Sequence, residues 1–260
     1  MTKSKKSQEI YLDAGFTKDE VELLRAYFSA FSNLYGKVSL RDAFEIINEQ
    51  NDNQFSKIKF LAFLKLNEKE KNFYHIVSRC EFYDDAPDED PFDDDIVNEA
   101  IVCIDEDDYY SIDEQQIDKP LCVLPKESLL KYADDSYRED TPATEALERY
   151  IEEHAEIIQP TRGHHYINTA SDAVDGFVFA LRIDLDDETM HIDDLLRLVV
   201  LPEDDEEFEK FMQGLLPLAT EVANTTRRWS NRGYTPRELA GLMGDNRPRL
   251  INIIDEELPR

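Results

Sequence analysis

The sequence predicts an all-α protein, a multi-helix bundle of helical hairpins interrupted by an acidic, partly irregular central segment. Three observations lead there. Apolar residues recur at helical spacing behind Ser and Thr caps along most of the chain. Only 8 Gly and 11 Pro occur in 260 residues, too few for a β-sandwich that must turn every few residues. Hydrophobic residues reach 41%, with 14 Phe and 12 Tyr, so a core can form although 33% of the residues are charged.

The first helix opens at Thr17, which forms a capping box with Glu20, each side chain satisfying a backbone N–H of the other. Val21, Leu24, Phe28 and Phe31 follow at helical spacing, Leu23, Tyr27 and Leu34 widen the stripe, and Gly36 ends it. Ser39 caps a second helix with Leu40, Ala43, Phe44 and Ile47 on one face. Ser56 caps a third, where Ile58, Phe60, Leu61, Phe63 and Leu64 lie nearly all round and predict thorough burial. The Gly36 junction has the outline of an EF-hand without its ligands. With Gly36 at loop position 6, Phe31, Asn33 and Tyr35 fall where oxygen ligands belong, and the closing residue is Asp42 rather than Glu. A plain helical hairpin is the expectation there.

Between 81 and 118 stand 17 carboxylates and no Lys or Arg. Pro87 and Pro91 break regular structure, and the apolar run Ile96, Val97, Ala100, Ile101 and Val102 suggests a helix between two acidic arms. Such a block is a solvated linker, a docking surface for a basic partner or a divalent-cation sponge, with Asp84, Asp85, Asp88, Asp93, Asp94, Asp95, Asp105, Asp107 and Asp108 as the candidate docking carboxylates. Division into 1–80, 81–118 and 119–260 is expected from this shift in composition.

Beyond it, Pro125 starts a short helix through Leu129, Leu130 and Tyr132. Thr141 and Pro142 are an N-cap and a first helical residue, with Ala146, Leu147, Tyr150 and Ile151 as the stripe. A break over 159–168 precedes a helix from Ser171 carrying Val174, Phe177, Val178 and Leu181. The stretch 190–201, with Ile192, Leu195, Leu196, Leu198 and Val199, reads as another helix. The longest helix runs from Pro202 to about Trp229, with Phe208, Phe211, Met212, Leu215, Leu218 and Val222 inward, and Pro217 predicts a kink near Gly214.

The net charge is −29, from 29 Lys and Arg against 58 Asp and Glu. That sum repels phosphate backbones and anionic lipid, and it suits a partner with a basic face. No apolar run approaches the ~18–20 residues of a membrane span, and the Lys-rich start has no apolar signal core, so a cytoplasmic protein without a membrane partner is expected. Cys80, Cys103 and Cys122, widely spaced, fit reduced and buried thiols.

One stretch runs against the overall charge. Residues 224–249 hold six arginines (227, 228, 232, 237, 247 and 249) against Glu238 and Asp245, a local excess of four positive charges, and include the only Trp. A helix ending near Ser230, Gly233 in a left-handed conformation, Thr235 as N-cap, Pro236 at the first helical position and Glu238 closing a capping box make a tight helix–turn–helix corner. Asn224, Arg227, Arg228, Trp229, Asn231, Arg232 and Arg237 are its candidate interaction residues. Arginine and Trp are the residues of interface hot spots. Equally, Arg227, Arg228 and Arg232 can bridge to the chain's own carboxylates with Trp229 packed inside. DNA contact is opposed by the 58 acids elsewhere.

The run Asn224-Thr225-x-Arg227-x-Trp229-x-Asn231-Arg232-Gly233-Tyr234-Thr235-Pro236-x-Glu238-Leu239 resembles the corner of a family of uncharacterised bacterial α-helical proteins. The N-terminal stretch from Val21 through 43–47 is similar to the start of the same proteins, and the 126–133 stretch also fits them. The resemblance implies an α-helical domain of unknown function. Many members carry a cysteine-rich SEC-C zinc knuckle after this corner; no cysteine follows Leu239, so no zinc site is expected here.

Other constellations are weaker. His164 and His165, beside Arg162 and Tyr166 with His154 upstream, are adjacent and point different ways on a regular backbone, a poor geometry for one ion. His191 with Asp193 and Asp194 reads as a helix start, and Glu152, Glu153 and His154 lack the second half of a carboxylate-bridged metal motif. No phosphate loop, dinucleotide fingerprint or nucleophile elbow occurs. No cofactor is therefore expected, and a protein-binding or adaptor module is the leading expectation. The alternatives are an acidic nucleic-acid mimic that inhibits a DNA-binding protein, and an enzyme with an unrecognised site.

Overall fold

The computed structural model describes residues 9–78, 80, 90–102, 106–157, 169–184 and 192–244. The chain is mostly helical, and it divides into two compact units, Met1–Tyr137 and Arg138–Arg260.

The first unit begins with α1 (Lys18–Tyr35), and the Thr17–Glu20 capping box is present as the spacing predicts. Gly36 ends α1 at φ 68°, a conformation that needs glycine, and its N–H bonds back to Ser32 at 3.0 Å. The junction after Gly36 is not a plain hairpin. The chain passes through β1 (Lys37–Ser39) before Ser39 caps α2 (Leu40–Glu49) and Ser56 caps α3 (Lys57–Asn67). Burial of α3 is one-sided: Phe60, Phe63 and Leu64 are interior, whereas Ile58 is 83% exposed.

Two further strands, β2 (Tyr74–Val77) and β3 (Asp95–Asn98), complete an antiparallel sheet in the order β1-β3-β2. Val38 faces Ile96 across one pair, and Ile76 faces Ile96 across the other. The central strand is thus drawn from the acidic stretch, where a helix was expected. Ile96 and Val97 are β-branched and buried, and only the short α4 (Glu99–Val102) takes the helical form. A strand bonded on both edges is built into its unit, so 90–118 is not a linker. The next helix, α5 (Glu106–Gln116), buries Tyr109 and Ile112.

Residues after 118 also belong to this unit. The Tyr35 hydroxyl donates to the Cys122 carbonyl at 2.6 Å, Gln50 to Leu124 at 2.8 Å, and Asn33 to Tyr132 at 2.9 Å. These bonds hold α6 (Lys126–Leu129) and the 3-10 turn Leu130–Ala133 against α1. The division therefore falls after Tyr137 rather than at 80 and 118. Phe28, Phe60, Phe63 and Tyr74 form the aromatic centre, with ring centroids 5.4–5.7 Å apart around Phe28.

A charged cluster lies inside this unit. The Lys37 side chain, 5% exposed, donates to Asp113 on α5 and stands 3.4 Å from Asp95 on β3. Its Nζ is 4.3 Å from the Tyr109 ring centroid, and the Tyr109 hydroxyl donates to Asp95 at 2.9 Å.

The second unit comprises α7 (Pro142–His154), α8 (Ala170–Ile183), α9 (Ile192–Leu196), α10 (Asp205–Thr225) and α11 (Pro236–Met243), with a two-stranded ribbon of β4 (Glu156–Ile157) and β5 (Val199–Val200). Val199, expected on a helix, is instead paired with Ile157. Leu147, Ile151, Phe177, Leu181, Leu195, Leu215 and Val222 form the core. Pro217 sits inside α10 and leaves the Gln213 carbonyl without its helical donor.

This packing can be tested at two positions. Phe28→Ala should lower stability by ~3–5 kcal/mol, read as a lower urea midpoint. Glu20 is raised by burial, yet its bonds to Lys59 at 2.5 Å and to the Thr17 N–H hold it down at about 2. Its contribution is therefore complete above the ordinary value of 4.5 and is lost as pH falls toward 2. Glu20→Gln should remove ~1 kcal/mol at neutral pH and flatten the acid limb of a stability–pH curve.

Candidate interaction corner

The corner is formed where α10 stops earlier than its apolar stripe suggests, at Thr225 rather than near Trp229. Thr225 and Thr226 hydroxyls donate to the carbonyls of Glu221 and Val222 at 2.8 and 2.9 Å, and Thr226 turns extended at φ −85°, ψ 133°. Side chains thus take over helix-end carbonyls that the next turn would have used. The chain then folds on itself: Gly233 N–H bonds to Arg228 O at 3.1 Å, and Arg228 N–H to Tyr234 O at 3.3 Å. Arg232 and Gly233 both have positive φ, 50° and 83°. The sequence anticipated the second of these. Thr235, Pro236 and Glu238 then open α11 with the expected capping box.

Trp229 is 3% exposed, and its backbone N–H donates to the Arg182 carbonyl at 2.9 Å, capping the last turn of α8. Arg228 and Asn231 are buried with it, and Asn224 and Arg232 are half-buried. Arg227 is 11% exposed and lies between two carboxylates, 3.1 Å from Glu139 and, through both terminal nitrogens, 2.8 and 3.2 Å from Glu238; it also donates to Gly233 O at 3.0 Å. Burial raises Glu238, but the Thr235 N–H and this fork outweigh it and hold the carboxyl below its ordinary value. Arg237 is exposed and grips Glu221 at 2.6 and 2.7 Å, which holds Glu221 below its ordinary value. Arg247, Arg249 and Asp245 lie outside the described residues.

The acidic candidates are scattered by comparison. Asp93 and Asp90 flank Arg41 at 2.7 and 3.1 Å. The Asp94 carbonyl accepts from the Leu40 N–H at 2.8 Å. Asp95 is buried against Lys37 and Tyr109, so it is an interior residue and not a docking carboxylate. Asp107 and Asp108 stand in the first turn of α5. Asp84, Asp85, Asp88 and Asp105 lie outside the described residues, as do Cys103, Arg162, His164, His165, Tyr166 and His191. Cys122 is buried as expected, but Cys80 is exposed.

One carboxylate run escapes sequence reasoning because it reads as a helix start. Glu203, Asp204, Asp205, Glu206, Glu207 and Glu209 are all exposed around the N-terminus of α10, where Asp204 caps the helix and Lys210 pairs with Glu206 at 2.8 Å. Among the described residues, no three His, Cys, Asp or Glu side chains are gathered as a metal would need, and no helix is long and apolar enough to cross a membrane. Compared with family models, curated proteins and solved structures, the chain has no match.

Burial separates the roles of these side chains. Trp229→Ala should destabilise the fold by ~3–5 kcal/mol. Arg227→Met leaves Glu139 and Glu238 facing each other and should cost ~2–4 kcal/mol, whereas Arg237→Ala, an exposed pair, should cost below ~1 kcal/mol. Urea midpoints of the three variants check the order.

Proposed function

We propose that the chain is a protein-binding or adaptor module whose outward anionic surface takes up a partner with a basic face. The observation that supports this is where the cations go. Arg227, Arg237, Arg41 and Lys37 each lie against carboxylates of their own unit. Arg138 is held the same way, 2.6 Å from Glu148 and 3.0 Å from Asp175. With those cations engaged internally, the field that reaches solvent is that of the acidic excess, a net charge of −29. Such a field speeds encounter with basic surfaces and opposes DNA and anionic lipid.

The corner itself serves folding in this reading. Its likeness to the bacterial helical family is proposed as kinship, on the support that Thr225, Arg227, Trp229, Gly233, Thr235-Pro236 and Glu238 each contribute to holding the turn.

Passing a nuclease-treated bacterial lysate over the immobilised chain, at low and high ionic strength, tests the reading. The expected result is a basic protein retained at low salt, released at high salt, and retained less by a variant with Asp84, Asp85 and Asp88 changed to Asn. A DNA-binding protein as the captive would specify the nucleic-acid mimic within the same class. Retention of nucleic acid from untreated lysate, or of no basic protein, would contradict it.

A further inference from the structure

We propose that Lys37 and Asp113 become joined by a side-chain amide in the folded protein, without any cofactor, with Asp95 as the proton relay. Three features of the buried cluster point to this chemistry. The nucleophile and its target already touch: Lys37 Nζ donates to the Asp113 carboxylate. A second carboxylate stands at the same nitrogen, Asp95 Oδ2 at 3.4 Å, and the Tyr109 hydroxyl fixes it by donating at 2.9 Å. Water is largely shut out, since the Lys37, Asp95 and Asp113 side chains are 5%, 6% and 24% exposed.

The fold holds these groups rigidly. Lys37 and Asp95 lie on adjacent bonded strands, two residues apart in register. Tyr109 and Asp113 are one turn apart on α5 and share a face. Holding amine and carboxyl together in this way is equivalent to an effective concentration of ~10⁵–10⁸ M, which opposes the hydrolysis that dominates in dilute water.

The step balances as a condensation. The Lys37 ammonium gives one proton to the Asp113 carboxylate, leaving an amine and a carboxylic acid. The nitrogen lone pair attacks Asp113 Cγ. Asp95 Oδ2 takes the second proton from nitrogen and returns it to the Asp113 hydroxyl, the Cγ–O bond breaks, and water leaves. The nitrogen keeps one proton as an amide, and Asp95 ends as it began. Lys59 with Glu20 is the internal contrast: they are 2.5 Å apart, but Lys59 is 27% exposed and that cluster shows a single carboxylate, so no relay is available.

Intact-mass measurement of the denatured full chain reads the outcome directly. The expected mass is below that of the sequence by one water, and the Lys37→Arg variant should show no such deficit. A tryptic digest should give one branched peptide linking Lys37 and Asp113, with no cleavage after Lys37. A full sequence mass with normal cleavage after Lys37 would overturn the proposal. So would a water deficit without the branched peptide, which marks a cyclic imide elsewhere.

Discussion

In a chain with twice as many acids as bases, mutual repulsion of carboxylates is a constraint that cations placed between them relieve. That constraint recurs across the structure. Lys37 lies between Asp95 and Asp113, Arg41 between Asp90 and Asp93, and Arg227 between Glu139 and Glu238. Arg138 reaches Glu148, Asp175 and, at 3.6 Å, Asp140. At the three arginines, one positive charge relieves the repulsion of two or more negative ones, so its value exceeds that of an isolated pair. The magnitudes differ with burial. Arg41, nearly half exposed, is screened and contributes little, whereas removing the buried Lys37 or Arg227 side chain would leave carboxylates facing each other with no cation between them.

How much of this was legible in the sequence depended on distance along the chain. Caps are local, and Thr17, Ser39, Ser56, Thr141 and Thr235 all stand where their spacing placed them. The strands were not legible. They span two to four residues, too short for alternation to show, and β3 exists only because residues 37–39 and 74–77 pair with it. The buried Lys37 joins residues 76 positions apart, a relation that no local pattern records. Thr225 and Thr226 read as helix interior in the sequence, although both are residues that compete for helix carbonyls.

The corner shows how a local charge excess can mislead. Clustered arginines around a Trp suggest an exposed recognition surface, yet burial and hydrogen bonding turn most of that set inward. Trp229 closes α8, Arg227 ties the capping box of α11 to Glu139, and Gly233 permits the reversal between them. The same residue types serve folding here because the surrounding acids supply partners for them. The outward consequence is an anionic surface, including the exposed run at the start of α10.

The dependence of stability on salt tests the central claim most directly. If the cations are engaged internally and the acidic excess faces solvent, added salt screens long-range repulsion among exposed carboxylates while leaving buried pairs nearly untouched. The urea midpoint should then rise as sodium chloride is raised from low to physiological ionic strength. A midpoint that falls steadily with salt would show that exposed ion pairs hold the fold, and would contradict this account.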